Sequence, residues 1–401
     1  MKPPLESNDR VNSSSFISHL QRHSTSGNWI PELDGLRFIA IVTVVLFHMY
    51  GQIQHNRLLV LQPRYHYLAR FFSQGNRGVQ LFFIISGFIL ARPFAQHHLF
   101  GEQWPSLRKY FLRRVTRLEP PYIFNLLVTA LAVLFIQHES WRVVLPHLLA
   151  SMGYVHNLIY STPSTINPAA WSLEIEIQFY ILAPLLTLLF AIEKPALRRL
   201  IAVVFILVIG ACQTAGFPSF GRLALLGQLQ YFLTGLLFAD LFLTVMPRWN
   251  HDWKWDILSL LGWPALFLLG DSSLGLWLPF LALILYIAAF RGVVMYAIVR
   301  NTWIAVIGGM CYTLYLWHAP IMTVVQRLIN RIVPALPSDY ALGFFLLAVI
   351  KFAVIGAISL PLFLYLERPC MDPKWPQKLW NRLRSKTAVT EPLSPAVMEE
   401  S

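Results

Sequence analysis

The chain has 401 residues, 56% of them apolar and only 13% charged, with a mean hydropathy of +0.53. A soluble domain carries about a quarter charged residues, so there is too little polar surface here to cover one, and the apolar residues fall in long runs that read as a polytopic membrane protein. The net charge of +12 lies mostly between those runs, which argues for membrane sidedness and against nucleic acid, and Cys212, Cys311 and Cys370 are too scattered for a metal or disulfide framework.

In chain order, residues 1–30 are polar and rich in Ser and Asn. They lack a basic start, apolar core and small-residue cleavage site, so they read as a disordered tail rather than a cleaved signal. A crossing helix needs about 20 apolar residues. The runs at 36–53, 79–95, 118–137, 171–192, 199–213, 223–246, 255–270, 274–290, 304–329 and 341–366 predict an all-α bundle of about ten transmembrane helices. The pair 255–270 and 274–290 is joined through Asp271, Ser272 and Ser273 as a tight hairpin. The stretch 141–160, with Trp141, Arg142, His147 and His156, is amphipathic and is placed at the interface. One membrane domain, 31–370, is thus followed by a polar tail, 371–401, with no further soluble domain expected. An even count puts both termini on one side. Most of the 32 Lys and Arg fall in the segments on that side, which predicts cytoplasmic termini.

Ionisable side chains within such spans are costly and call for partners. Four places carry them. Leu33-Asp34-Gly35-Leu36-Arg37 opens the first run, and His48 follows Arg37 by 11 residues. On a helix the two lie within about 20° of one another and roughly 16 Å apart. One stripe therefore holds a cation near one end and an imidazole suited to take a hydroxyl proton near the other. A packing histidine with a snorkelling arginine is the alternative. Arg114 and Arg117 share a face at the entrance of the third run, and paired guanidiniums suit phosphate as well as lipid headgroups. In Trp171–Tyr180, Glu174 and Glu176 point about 200° apart. Glu176 is the candidate to orient an imidazole, and Glu174 is read as interfacial. Finally, Tyr312-Thr313-Leu314-Tyr315-Leu316-Trp317-His318 puts aromatic hydrogen-bonders in mid-span, where a cavity explains them better than an aromatic belt.

Together these segments resemble acyltransferase family 3, the membrane acyltransferases that include bacterial O-antigen and exopolysaccharide O-acetyltransferases. The motifs that carry the resemblance run in order along residues 31–370. They are Leu33 to Arg37 with His48, Gly78 to Phe88, the pair Arg114 and Arg117, Trp171 to Tyr180, Tyr315 to His318, and Tyr365-Leu366-Glu367-Arg368-Pro369. Gln80 stands where many members have Asp, which excludes an acidic role there. Ile177 stands where many have a second acid.

The resemblance implies an acyl-CoA, most often acetyl-CoA, bound from the cytoplasm as co-substrate, with no tightly bound cofactor and no metal. Arg37, Arg114 and Arg117 would hold the donor. His48 would act as general base or carry a transient acyl group, with Glu176 as its orienter. Gln80, Trp171, Tyr315, Trp317 and His318 would line the site, and Gly78, Ser86 and Gly87 would let helices pack closely. The acceptor would be a hydroxyl of a sugar or glycan, and the membrane the bacterial inner membrane. A transporter or exporter of a glycan is the other class that intramembrane His, Arg and Glu allow, although no internal repeat of the transporter kind is seen.

Overall fold

The structure is a computed structural model that describes residues 29–378 apart from 57, 218–220, 270–274, 333–335 and 373, together with residue 381. The expected N-terminal tail lies almost wholly outside the described residues, as do most of the expected 371–401 tail and the turn expected at Asp271–Ser273. All regular structure among the described residues is helical.

The chain opens with α1 (Pro31–His55), the short α2 (His66–Ser73), α3 (Arg77–Phe100) and α4 (Leu107–Ile136). Two short helices, α5 (Trp141–Met152) and α6 (His156–Tyr160), take up the stretch expected at the interface. Next come α7 (Trp171–Leu186), α8 (Pro195–Thr214), α9 (Leu225–Thr244), α10 (Trp253–Leu268) and α11 (Leu278–Arg291). The last group is α12 (Val294–Val299), α13 (Thr302–Gly309), α14 (Cys311–Ile332) and α15 (Tyr340–Leu362), which runs on through a π-helical turn at Phe363–Glu367. Seven of these stretches are long and apolar enough to cross a bilayer, and an eighth is the bent pair α13–α14. The protein is thus a polytopic helical membrane protein. The expected spans 255–270 and 274–290 are helices of 16 and 14 residues that pack on one another and fall short of the length of the others.

Burial sorts the helices. In α9, 78% of the apolar window is buried inside the protein, against 28% in α8 and in α15. The inner helix α9 lies along α3, and paired glycines allow the approach. A Cβ on Gly87 of α3 would meet the backbone of Phe232, and one on Gly235 of α9 would meet that of Ile84. Lipid tails are as apolar as leucine, so such helices associate by close packing rather than by the hydrophobic effect. Phe232 fills the space beside this crossing, stacking on Phe179 at 3.9 Å and on Phe83 at 4.6 Å. Charge then pins the outer α8 to α9. The buried Arg198 donates through Nε to Asp240 at 2.8 Å, and Arg199 reaches the second oxygen at 2.5 Å.

The run expected as one span at 304–329 is broken, its halves bent by 68°. Asn301 caps α13, its side chain accepting from the amide of Trp303 at 3.0 Å. The short α13 lies against α1 and turns the chain at Met310. Met310 and Cys311 are both buried in protein, which is where irregular backbone at membrane depth is tolerated. The turn sends Tyr312–His318 into the middle of the bundle.

Candidate active site

Two imidazoles meet at the centre of the site. His48 of α1 and His318 of α14 have ring centroids 5.0 Å apart, with the planes tilted at 51°. His318 is fully buried, and its Nδ1 lies 2.7 Å from the carbonyl oxygen of Tyr315. A carbonyl only accepts, so Nδ1 carries the proton and Nε2 keeps its lone pair. That Nε2 is buried without a hydrogen-bond partner. His48 is half-buried and packs its ring against Phe47 as well.

The helix that carries His318 is held by polar contacts that answer its own proline. Pro320 has no N–H, so the carbonyl of Leu316, four residues back, loses its helical donor. The Nδ2 atoms of Asn125 and Asn167 both reach that carbonyl, at 3.1 and 3.0 Å. The two amides are joined at 2.8 Å and fully buried. On the same face as His318, the Tyr315 hydroxyl donates to Ala169 O at 2.8 Å and lies 2.6 Å from Ser172 Oγ. Trp317 does not face this site. It is turned about 200° from Tyr315 and packs toward Phe124 of α4 at 6.0 Å.

One turn along α7 from Ser172 comes Glu176, placed among hydroxyls rather than against His48. Its Oε1 accepts from Ser86 at 2.5 Å and from Tyr180 at 2.6 Å. The expected pairing with His48 is therefore corrected: the ring against His48 belongs to His318. The helical period put Glu176 on an inward face, but its level on that face falls a turn below Tyr315. Ser86, expected only to allow close packing, is a donor to this carboxylate. Glu174, expected at the interface, is buried and accepts from the backbone N–H of Asn157 at 2.8 Å, a donor of the first turn of α6 that has no helical partner.

The arginines gather below Glu176. Arg37 is ion-paired with Asp34, which also accepts from Trp29 Nε1 at 2.8 Å, and it lies within electrostatic reach of Glu176 and Cys311. Arg114 sits with its guanidinium 3.9 Å over the Tyr110 ring and 5.3 Å from that of Tyr180. It is within electrostatic reach of both Glu176 and Arg117. Arg117 pairs with Glu367 at 3.5 Å, leaving its own Nε buried and unpartnered. Glu367, fully buried, also accepts from the amide of Thr313 at 3.1 Å and from its hydroxyl at 2.5 Å, capping the start of α14. The Tyr110 hydroxyl donates at 3.2 Å to the carbonyl of Tyr180, the one that Pro184 leaves free.

Gln80, Phe83 and Ser86 follow at three-residue spacing along α3. The last two meet Trp171, ring to ring at 6.4 Å, and Glu176. Gln80 is half-buried, with its amide oxygen unpartnered. The structure thus brings together His48, His318 and Tyr315 at one level and Arg37, Arg114, Arg117 and Glu176 at another. Asn125, Asn167 and Tyr110 are further members, each donating to a carbonyl that a proline on a different helix leaves free, and Glu367, part of the Tyr365–Pro369 motif, caps α14.

The profile of the acyltransferase domain family (Acyl_transf_3) matches residues 30–366. The O-acetyltransferase OatA of Staphylococcus aureus strain NCTC 8325 / PS 47 is 26% identical over 333 residues, 75% of this chain and 52% of the relative. The OatA of strain MRSA252 matches to the same extent. A shorter match, 30% over 177 residues, covers 41% of this chain and 26% of SACOL0978 from strain COL, a protein named provisionally as an O-acetyltransferase. The chain spans about half the length of the OatA proteins it matches. No solved structure matches it.

Proposed function

Because the chain belongs to the acyltransferase 3 domain family, we propose that it is a membrane O-acyltransferase that moves an acyl group, acetyl in the first instance, from acyl-CoA to a hydroxyl of a sugar or glycan. The observation that carries this reading is the order of groups along the bundle. Three guanidiniums lie at one level, and His48, on the same stripe of α1 as Arg37, meets His318 of α14 at another. A donor with a phosphate-rich end and a thioester end matches that order, phosphates at Arg37, Arg114 and Arg117 and the acyl carbon toward His48. The likeness to OatA, an O-acetyltransferase, supports acetyl as the group.

In the proposed reaction the acceptor oxygen forms the new C–O bond at the acyl carbon while its proton passes to His48. The C–S bond breaks, and the imidazolium returns the proton to the leaving thiolate. His318 is oriented by Tyr315 and offers a lone pair to the His48 edge or to the acceptor hydroxyl. With the arginine level on the cytoplasmic side, as the distribution of Lys and Arg suggests, donor and acceptor enter from opposite faces of the bacterial inner membrane.

The test is acetyl transfer from labelled acetyl-CoA into extractable glycans, in membranes with matched protein levels. His48→Ala and His318→Ala should each lower transfer by roughly 10²- to 10⁴-fold. Equal labelling by wild type and His48→Ala makes His48 a packing residue and removes the assignment. Wild type that labels nothing from any short acyl-CoA removes the donor, and movement of unaltered solute would then favour an exporter.

A further inference from the structure

Lys351 lies at the middle of α15, is wholly buried, and donates from Nζ to Oε1 of Gln52 at 2.9 Å. A mid-span ammonium this enclosed does not snorkel to a headgroup. Among the described residues no carboxylate neutralises it. Asp34, Asp240 and Glu367 face arginines, Glu176 is taken by hydroxyls, and Glu174 by a backbone amide. A neutral amide satisfies one of its three donors and none of its charge. Such a cation is costly in a low-dielectric interior, and cations placed so mark ligand paths.

Its position says which ligand. Gln52 follows His48 by four residues, one turn along the same face of α1 and about 6 Å further from Arg37. The ammonium therefore lies beyond the imidazole pair, on the side away from the three guanidiniums. Helices α1 and α15 make no extensive backbone contact, and the Gln52–Lys351 bond spans the gap between them. His48 and Gln52 are each half-buried, so this face of α1 is reachable, and Lys351 lies enclosed behind the Gln52 side chain, which a ligand would displace. The donor end already has its own cations. A cation across the imidazoles answers to the other substrate.

We propose that Lys351, held by Gln52, binds a carboxylate or phosphate oxygen of the acceptor, so that the site selects an acidic glycan over a neutral one. Gln52, the partner of Lys351, stands one helical turn from His48, a span over which a single sugar ring can present an acid group toward Lys351 and a hydroxyl toward His48. The inference rests on the acyl-transfer reading of the imidazole pair.

Two readouts on the purified full-length chain in lipid nanodiscs test it. In thermal unfolding, methyl glucuronide and inorganic phosphate should each raise Tm in a concentration-dependent way, and methyl glucoside should not. Lys351→Met should lose this response, and Lys351→Arg should keep it. Removing an uncompensated buried charge with an apolar side chain of similar size is tolerated, so Lys351→Met without ligand should melt at or above the wild-type temperature. In transfer from labelled acetyl-CoA, the wild type should favour the glucuronide over the glucoside by at least about tenfold, the worth of one ion contact. The ratio should approach one in Lys351→Met. A wild type with no preference, or a Lys351→Met that keeps the preference while losing rate on both probes, overturns the proposal, the latter outcome assigning Lys351 to charge on the reacting centre. A Lys351-dependent thermal response without any acetyl transfer supports the anion site and overturns the acyl-transfer reading alone.

Discussion

Pro320 deprives the carbonyl of Leu316 of its helical donor, and two buried asparagines from α4 and the 161–170 segment replace it. A buried carbonyl without a donor costs about 1–3 kcal/mol. Asn125→Ala alone leaves Asn167 in place and should cost less than the double change. Asn125→Ala/Asn167→Ala should lose about 1–3 kcal/mol of stability. In a Pro320→Ala background residue 320 supplies the missing N–H, so the same double change should cost much less. Equilibrium unfolding of the four proteins gives the coupling directly. Equal costs in both backgrounds would show that the asparagines do not serve that carbonyl.

Glu176 is set by its neighbours to act on the arginines more than on the imidazoles. Both hydroxyl donors go to one oxygen, which a Gln side chain retains. Glu176→Gln therefore removes charge with little change of shape. An anionic donor near Arg37 and Arg114 should then bind more tightly, by roughly threefold to tenfold, as expected for about 1 kcal/mol of partly screened charge. Steady-state kinetics should show the change in the KM for acetyl-CoA. A loss confined to kcat would return Glu176 to the proton-transfer step.

Arg117 and Glu367 separate structure from binding. Glu367 is fully buried and Arg117 is its ion-pair partner. Removing one partner of such a pair costs about 3–5 kcal/mol because a charge is left behind. Arg117→Ala should lower Tm strongly, and adding Glu367→Gln should restore most of it. Transfer should not return with the double change, because the donor has lost a cation. Arg114→Ala, which removes the contacts to Tyr110 and Tyr180 but breaks no ion pair among the described residues, should weaken donor binding with a much smaller change in Tm.

The helix pair α5–α6 carries a pH response of its own. His156 Nδ1 donates to the carbonyl of Thr162 at 3.1 Å, and its Nε2 accepts from Nδ1 of His147 at 2.8 Å. Burial, and then the neighbouring His147, hold His156 below its ordinary value of 6.5. The unfolded chain thus binds a proton that the folded one refuses. The stability from this pair is complete above about pH 6.5 and is lost as pH falls below that toward the lowered folded value. Thermal unfolding between pH 8 and pH 5 should show the decline, and His156→Gln should reduce its slope. An unchanged slope would assign the decline to other groups.

Much of the site was legible because it is written along single helices. Arg37 and His48 share a stripe of α1 by spacing alone, and Tyr315 and His318 share one of α14. The density of polar groups in apolar runs marked Glu176 and the arginine pair. Two readings failed for one physical reason. A helical period tells which residues share a face, not which helix lies opposite or at what height. Glu176 was expected to orient His48 and Trp317 to line the site, and the first stands among hydroxyls while the second packs toward α4.

The sequence by itself determined that this chain lives in a bilayer, which segments are helical and apolar, and which ionisable residues must be held inside. Those follow from composition and local period, which act over one turn of helix. Only the tertiary structure decided that His318 is the partner of His48, that α14 is bent away from α13, and that carbonyls freed by Pro320 and Pro184 are met by Asn125, Asn167 and Tyr110. It also decided that Lys351 stands beyond the imidazoles with Gln52. Each of these depends on contacts between residues distant in the chain, whose geometry is settled by how the helices pack.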